Sequence, residues 1–349
     1  MELDERKLSI LRMVIDDYIM TAAPVGSRTI SKRGELGLSS ATIRNEMSDL
    51  EEMGYLDSPH TSAGRIPSEK AYRLYVDTLM HTANLTSVEA GAIYSHLRQR
   101  MHEVKDVINQ TAKVLSDMTN YTAMVMAPQF EKAALKRIKL VHVAEGKALA
   151  VFVMDNGLVQ DTMITIPSQV DERTLDQYSD MFTKLLFGKS ISEAAQLMDE
   201  GLLMNPQYAY MESIIKSIQS SCEEEDAGYV ALGGTTNLLM HPEYSSDVNK
   251  ARSMLAALET RKNLKTLLSR PKKMEFTITI GNENELDELK DSSVITAVYK
   301  KGSEPVGSFG VIGPTRMNYS RVISIMHELG KSMNRILTEM LIDDENKEK

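Results

Sequence analysis

The sequence predicts a multidomain α+β chain, and three observations predict it. Residues 1–82 carry helical periodicities and one short hairpin signal. Residues 122–166 and 228–313 carry alternating, β-branched runs, and a block of helical periodicity, 171–224, lies between those two. At 349 residues and 42% hydrophobic content, the chain is long enough for two or three domains, each with its own core.

Leu8, Leu11, Ile15 and Ile19 recur at helical spacing, so residues 4–20 form a first helix with one buried face. Pro24 and Gly26 break it. Ser27 then caps a short second helix, ended by Gly34, and 35–38 lead into a third helix at 39–53. Stepping 100° per residue from Ile43 places Met47 and Leu50 within about 40° of it, as a core-facing stripe. The opposite side presents Ala41, Arg44, Asn45 and Ser48, with Ser40 and Thr42 near the N-terminus, where Ser39 or Ser40 is the N-cap. Such a face suits base edges in a major groove: arginine takes guanine O6/N7, a side-chain amide takes adenine, and small methyls meet a thymine methyl. Two helices joined by a tight glycine-containing turn make a helix-turn-helix. Tyr55–Asp57 and Gly64–Ile66 can pair around a Pro-His-Thr-Ser-Ala tip as its wing. Candidate phosphate and wing contacts are Ser27, Arg28, Lys32, His60, Thr61, Ser62 and Arg65. Another helix runs from Ser68 to Met80.

Residues 81–92 read as a linker, and Thr86-x-x-Glu89 is a capping box opening one long helical stretch to about 119. Strand patterns follow at 122–127, 136–144 and 147–154, the last two joined at Glu145-Gly146, and 157–166 continues the sheet. A purely helical block inside strand-rich sequence suggests an insertion into one α/β domain. Strands return at 228–232, 275–281, 293–301 and 309–313, with a charged helix at about 247–269 and a closing helix from Tyr319 to Leu341.

The net charge of −9 speaks against a general nucleic-acid coat, yet 26–48 and 58–76 each carry +2, while acids gather in 1–25 and 49–57. Few phosphate contacts, reliance on base readout and two-fold avidity follow from that distribution. The single cysteine, Cys222, precedes three glutamates and reads as inert. The charged N-terminus and the lack of any apolar run of spanning length predict a cytoplasmic protein with no membrane partner. No nucleophile–base pair or metal spacing stands out, and Gly233-Gly234 lacks a phosphate-cradling pattern. Neither an enzyme nor a cofactor is expected, and the 23 methionines read as adaptable core packing.

PVGSRTIS (24–31), SSATIRNEM (39–47), GYLDSPHTSAGRIPSEKAYRLYVD (54–77), GGTTNLLMHPEY (233–244) and FGVIGPTRMNY (309–319) resemble the heat-inducible transcription repressor HrcA family. The likeness keeps motif order from the first helix to near the C-terminus; about 166–226 matches no motif. It implies a winged helix (1–82) and a GAF-like domain in two parts (83–167 and 227–342) interrupted by an inserted dimerising domain (168–226); the charged tail (343–349) reads from its own composition as disordered. It also implies a repressor of chaperone operons that binds an inverted-repeat operator in double-stranded DNA (the CIRCE element) and is kept active by the chaperonin. Candidate dimer residues in the helical block are Phe182, Leu185, Leu186, Met211 and Ile215. The alternative is a regulator whose GAF-like domain senses a small-molecule effector.

Overall fold

The computed structural model describes residues 3–59, 64–81, 83–98, 104–128, 133–155, 157, 159–168, 170–190, 193–194, 229–269, 276–301 and 304–347. The first helix, α1 (Glu5–Thr21), starts at Asp4, whose carboxylate accepts from Lys7 N at 2.8 Å. It is buried on more than the one face expected: Ile10, Leu11, Val14 and Ile15 are all sequestered, because the other N-terminal helices and a strand of the hairpin pack around α1. Next comes α2 (Ser27–Arg33), whose N-cap is Gly26 and not Ser27, so Ser27 is the first helical residue. The third helix, α3 (Ser40–Glu52), is capped by Ser39, which accepts from Thr42 N. A two-stranded hairpin follows, β1 (Leu56–Asp57) against β2 (Ile66–Pro67), and Val25 adds an antiparallel bridge to Arg65. Gly64 allows that third strand to approach: a Cβ there would sit 2.3 Å from Val25 O. Helix α4 (Glu69–Leu74) is capped by Ser68 and runs into one π-helical turn, Tyr75–Leu79.

The capping box at Thr86 and Glu89 forms in both directions and opens α5 (Ser87–Arg98). The single long helix expected from 87 to 119 is instead two. Gln110 Nε2 donates to His96 O at 3.0 Å, although fourteen residues of straight helix would separate them by about 21 Å. The chain therefore doubles back between α5 and α6 (Val104–Thr119).

Five antiparallel strands form the main sheet in the order β7-β3-β10-β9-β8: β3 (Thr122–Met126), β7 (Val230–Gly233), β8 (Phe276–Ile280), β9 (Ser292–Lys301) and β10 (Glu304–Pro314). Every residue of β3 is buried, because the sheet is covered on both faces. Ala123 and Val125 face α5, α6 and the closing helix, labelled α10 here (Tyr319–Lys347). Met124 and Met126 face α8 (Val248–Glu259) and α9 (Arg261–Leu268).

Strands β4 (Leu135–Ala144), β5 (Lys147–Met154) and β6 (Val159–Thr165) do not join that sheet. They form a separate one, with α7 (Glu172–Leu186) packed on it and a core of its own that includes Ile138, Phe152, Leu175, Phe182 and Leu186. This corrects one expectation, that 135–165 continues the sheet of the five-stranded domain; of the block read as helical, 171–224, the described residues contain α7, and 195–224 lie outside them. Phe152 and Ile164 need a cover, and α7 is the element that covers them. On the outer edge of β4, the N–H groups of Ile138 and Leu140 donate to the hydroxyls of Thr183 (3.0 Å) and Ser179 (2.9 Å) of α7. The two ends of this unit meet, since Ala127 N donates to Tyr229 O at 2.8 Å beside the Met126–Val230 pair.

The N-terminal helices share one continuous apolar core with the five-stranded body. At the seam, the ring of Tyr72 lies 6.1 Å from that of Tyr319, both fully buried. Burial pushes the Tyr72 hydroxyl well above its ordinary pKa, and among the described residues that hydroxyl has no hydrogen-bond partner. A buried unpaired hydroxyl costs about 1–3 kcal/mol. Tyr72→Phe is therefore expected to stabilise the protein by about 1 kcal/mol. Chemical denaturation checks this; a loss of stability would mean that the hydroxyl is satisfied.

Candidate nucleic-acid interface

Helical periodicity fixes what α3 shows to solvent. Ile43, Met47 and Leu50 are buried, while Ala41, Arg44, Asn45 and Ser48 are exposed on the opposite side, as the 100° wheel predicts. Ser40 and Thr42 are half-buried and use their hydroxyls locally. Ser40 Oγ lies 3.1 Å from Ser27 Oγ, joining the first turns of α2 and α3, and Thr42 Oγ1 lies 2.9 Å from Ser39 Oγ. They shape the helix start more than they offer groups to a ligand.

Glu46 was not singled out by the sequence reading, yet it is buried and holds α3 on α1. Arg6 reaches it at 2.6 Å and Lys7 at 2.8 Å, and Lys7 also meets Asp49 at 3.1 Å. The signal was on the wheel: Glu46 sits about 60° from Ile43, inside the core-facing stripe, where an acid needs a cation. Arg33 likewise pairs with Asp17 and ties α2 to α1.

The basic residues after the hairpin are placed differently from the linear charge count. Arg65 does not extend freely toward a phosphate. Its Nε donates to Glu51 Oε2 at 2.8 Å and its Nη1 to Ser58 Oγ at 3.3 Å, so it braces the hairpin against the last turn of α3. Lys70 lies 4.2 Å over the Tyr55 ring and donates to Met53 O, and Arg73 turns toward the five-stranded body. Among the described residues 3–81, Arg28, Lys32 and Arg44 remain as exposed cations with neither an ion pair nor a hydrogen bond. Arg28 and Lys32, four apart on α2, share one exposed face of that helix. His60, Thr61 and Ser62 lie outside the described residues.

Of the candidate dimer residues, Phe182 and Leu186 are buried in the core of the smaller unit, a correction to their reading as contact residues. Their side chains are already used to close α7 over Phe152. Leu185 is 43% exposed and Phe187, absent from that reading, is 65% exposed. Met211 and Ile215 lie outside the described residues. Among the described residues no helix is long and apolar enough to cross a membrane.

A helix-turn-helix with a braced hairpin beside it, presenting an exposed arginine and amide on its second helix and two exposed cations on its first, defines a winged-helix protein of the transcription-regulator class. Comparison with known proteins gives the family. The HrcA protein C terminal domain matches residues 105–323. The heat-inducible transcription repressor HrcA of Ruminiclostridium cellulolyticum is 42% identical, over 98% of this chain and 99% of its own. The same repressor from Clostridioides difficile is 39% identical, over 96% of this chain and 100% of its own. The chain belongs to the HrcA family of heat-inducible transcription repressors, a class of regulators and not of enzymes. A crystal structure of a hypothetical protein at 2.2 Å resolution shares the fold: it covers 97% of this chain and 100% of its own with a TM-score of 0.67 at 23% identity.

Proposed function

We propose that the protein is a cytoplasmic, dimeric repressor of heat-shock chaperone operons that binds an inverted-repeat operator of the CIRCE type, one winged helix per half-site, with its activity supported by the chaperonin. The observation that carries this reading is the outward face of α3, where Arg44 and Asn45 stand exposed and unpaired, with Arg28 and Lys32 likewise exposed on α2. Arg44 and Asn45 are the base readers, and Arg28 and Lys32 hold phosphates. In this reading the five-stranded body is the GAF-like domain. The smaller sheet with α7 belongs to the inserted dimerising domain, which then begins near residue 133 instead of 168. Exposed Leu185 and Phe187 supply part of its contact surface.

Selection of duplexes from a random library by the purified full-length protein tests the proposal. An inverted repeat should emerge, and enrichment of single or direct-repeat sites would overturn it. The same duplex allows a salt titration. With Arg28 and Lys32 as the phosphate cations of each subunit, log K against log[salt] should fall with a slope of about −4. A slope near −10 would place many more cations on the DNA than α2 and α3 offer.

A further inference from the structure

Two motifs of the sequence, around Glu243 and Arg316, lie outside the winged helix, and the structure gives them a shared task. Arg316, nearly buried, pairs with Glu243 and also donates from Nη1 to Ile19 O at 3.2 Å, in the last turn of α1. A cation at the C-terminal end of a helix is where the helix dipole favours it. A second attachment forms at α4. Arg73 meets Glu283 through Nε and Nη2, a bidentate pair along one edge of its guanidinium, and donates to Ile278 O at 2.8 Å, while Glu69 accepts from Asn282 N and Nδ2, each at 3.1 Å. Gly281 (φ +55°) makes this fit: a Cβ there would lie 2.0 Å from a Glu69 oxygen. The third attachment is the connector. His81 O accepts from Ser320 Oγ and Ala83 O from Ser324 Oγ, two serines one turn apart on α10. The segment that composition marks as a linker is therefore bonded along a helix.

We infer that this three-point joint, and not the reach of the connector, sets the half-site spacing that the dimer accepts, with Arg73, Glu283 and Arg316 as positioning residues. The inference rests on the dimeric operator reading above. A free connector of about six residues would let each winged helix wander over roughly 13 Å. That is about four base-pair steps, and each step also turns the half-site by about 35°. A joint that bonds α1, α4 and the connector to the body removes that freedom.

The test uses full-length protein and the selected duplex, with its spacer shortened or lengthened by one to four base pairs, alongside a single half-site. The wild type should bind best at one spacing and about 100-fold more weakly two base pairs away. Arg73→Ala/Arg316→Ala should keep half-site affinity within about twofold, lose affinity at the best spacing, and narrow the penalty for a two-base-pair change to less than about tenfold, as linkage through a slack tether requires. The swap Arg73→Glu/Glu283→Arg should restore the sharp profile if the pair acts through position. An unchanged spacing profile in the double variant overturns the inference while leaving the operator reading intact, and so does loss of half-site binding in proportion to loss of the full site. A wild type that binds the inverted repeat no better than one half-site overturns the operator reading itself. Should the double variant misfold, Ser320→Ala/Ser324→Ala loosens the connector alone and should broaden the profile in the same direction.

Discussion

Replacing residues 128–228 with Asn-Gly is expected to leave a folded protein that sediments as a monomer and binds its operator about 10²–10⁴-fold more weakly. The excision is clean because Ala127 and Tyr229 already oppose each other across β3 and β7, and a two-residue Asn-Gly turn closes such a hairpin. Among the described residues the smaller unit leaves with its own core, and none of them covers the five-stranded sheet. Cutting only 168–226 would instead strip α7 from its sheet and bare Phe152 and Ile138. The loss of affinity follows from how little each winged helix brings to DNA: with three free cations, one half-site is weak, and linking two makes the second engagement intramolecular. Analytical ultracentrifugation and an operator titration check both parts. A deletion variant that stays a tight dimer would move the interface to the five-stranded body.

Arg44→Ala or Asn45→Ala should cost about 1–3 kcal/mol at each half-site, roughly 2–6 kcal/mol on the whole operator, and relax preference at one base pair per half-site. Both side chains are exposed and neither supports the core, so the thermal midpoint should not move. Titration of each variant against operators carrying single symmetric base changes measures the effect. Selectivity identical to wild type would remove these two residues from the readout.

The recognition face was legible because it depends only on local geometry. A 3.6-residue period assigns Ile43, Met47 and Leu50 to one side and Arg44, Asn45 and Ser48 to the other before any tertiary contact exists. Charge was legible only as a sum. Arg65, Lys70 and Arg73 add to the positive count of 58–76, but Arg65 is neutralised by Glu51, fourteen residues away, and Arg73 by Glu283, more than two hundred away. No spacing rule reaches such partners. The strands between 122 and 165 were also legible one by one, whereas their division between two sheets was not. Val125 pairs with Phe309, and Lys139 with Val151, and an alternating pattern carries no label for its partner. The sequence between α5 and α6, residues 99–103, has neither proline nor glycine, so periodicity ran straight through it.

The hydroxyls of Ser179 and Thr183 on the outer edge of β4 bear on what heat does to this protein. A free edge is a template on which a strand from another molecule can grow. Here the amides of Ile138 and Leu140 are already taken by side chains from a helix that also closes the hydrophobic core beneath. A foreign strand cannot add at those positions until α7 lifts, and lifting α7 means uncovering Phe152. Self-association through this edge is thereby placed behind a local unfolding step, and its onset on warming should follow the stability of one helix on one small sheet, not that of the whole chain.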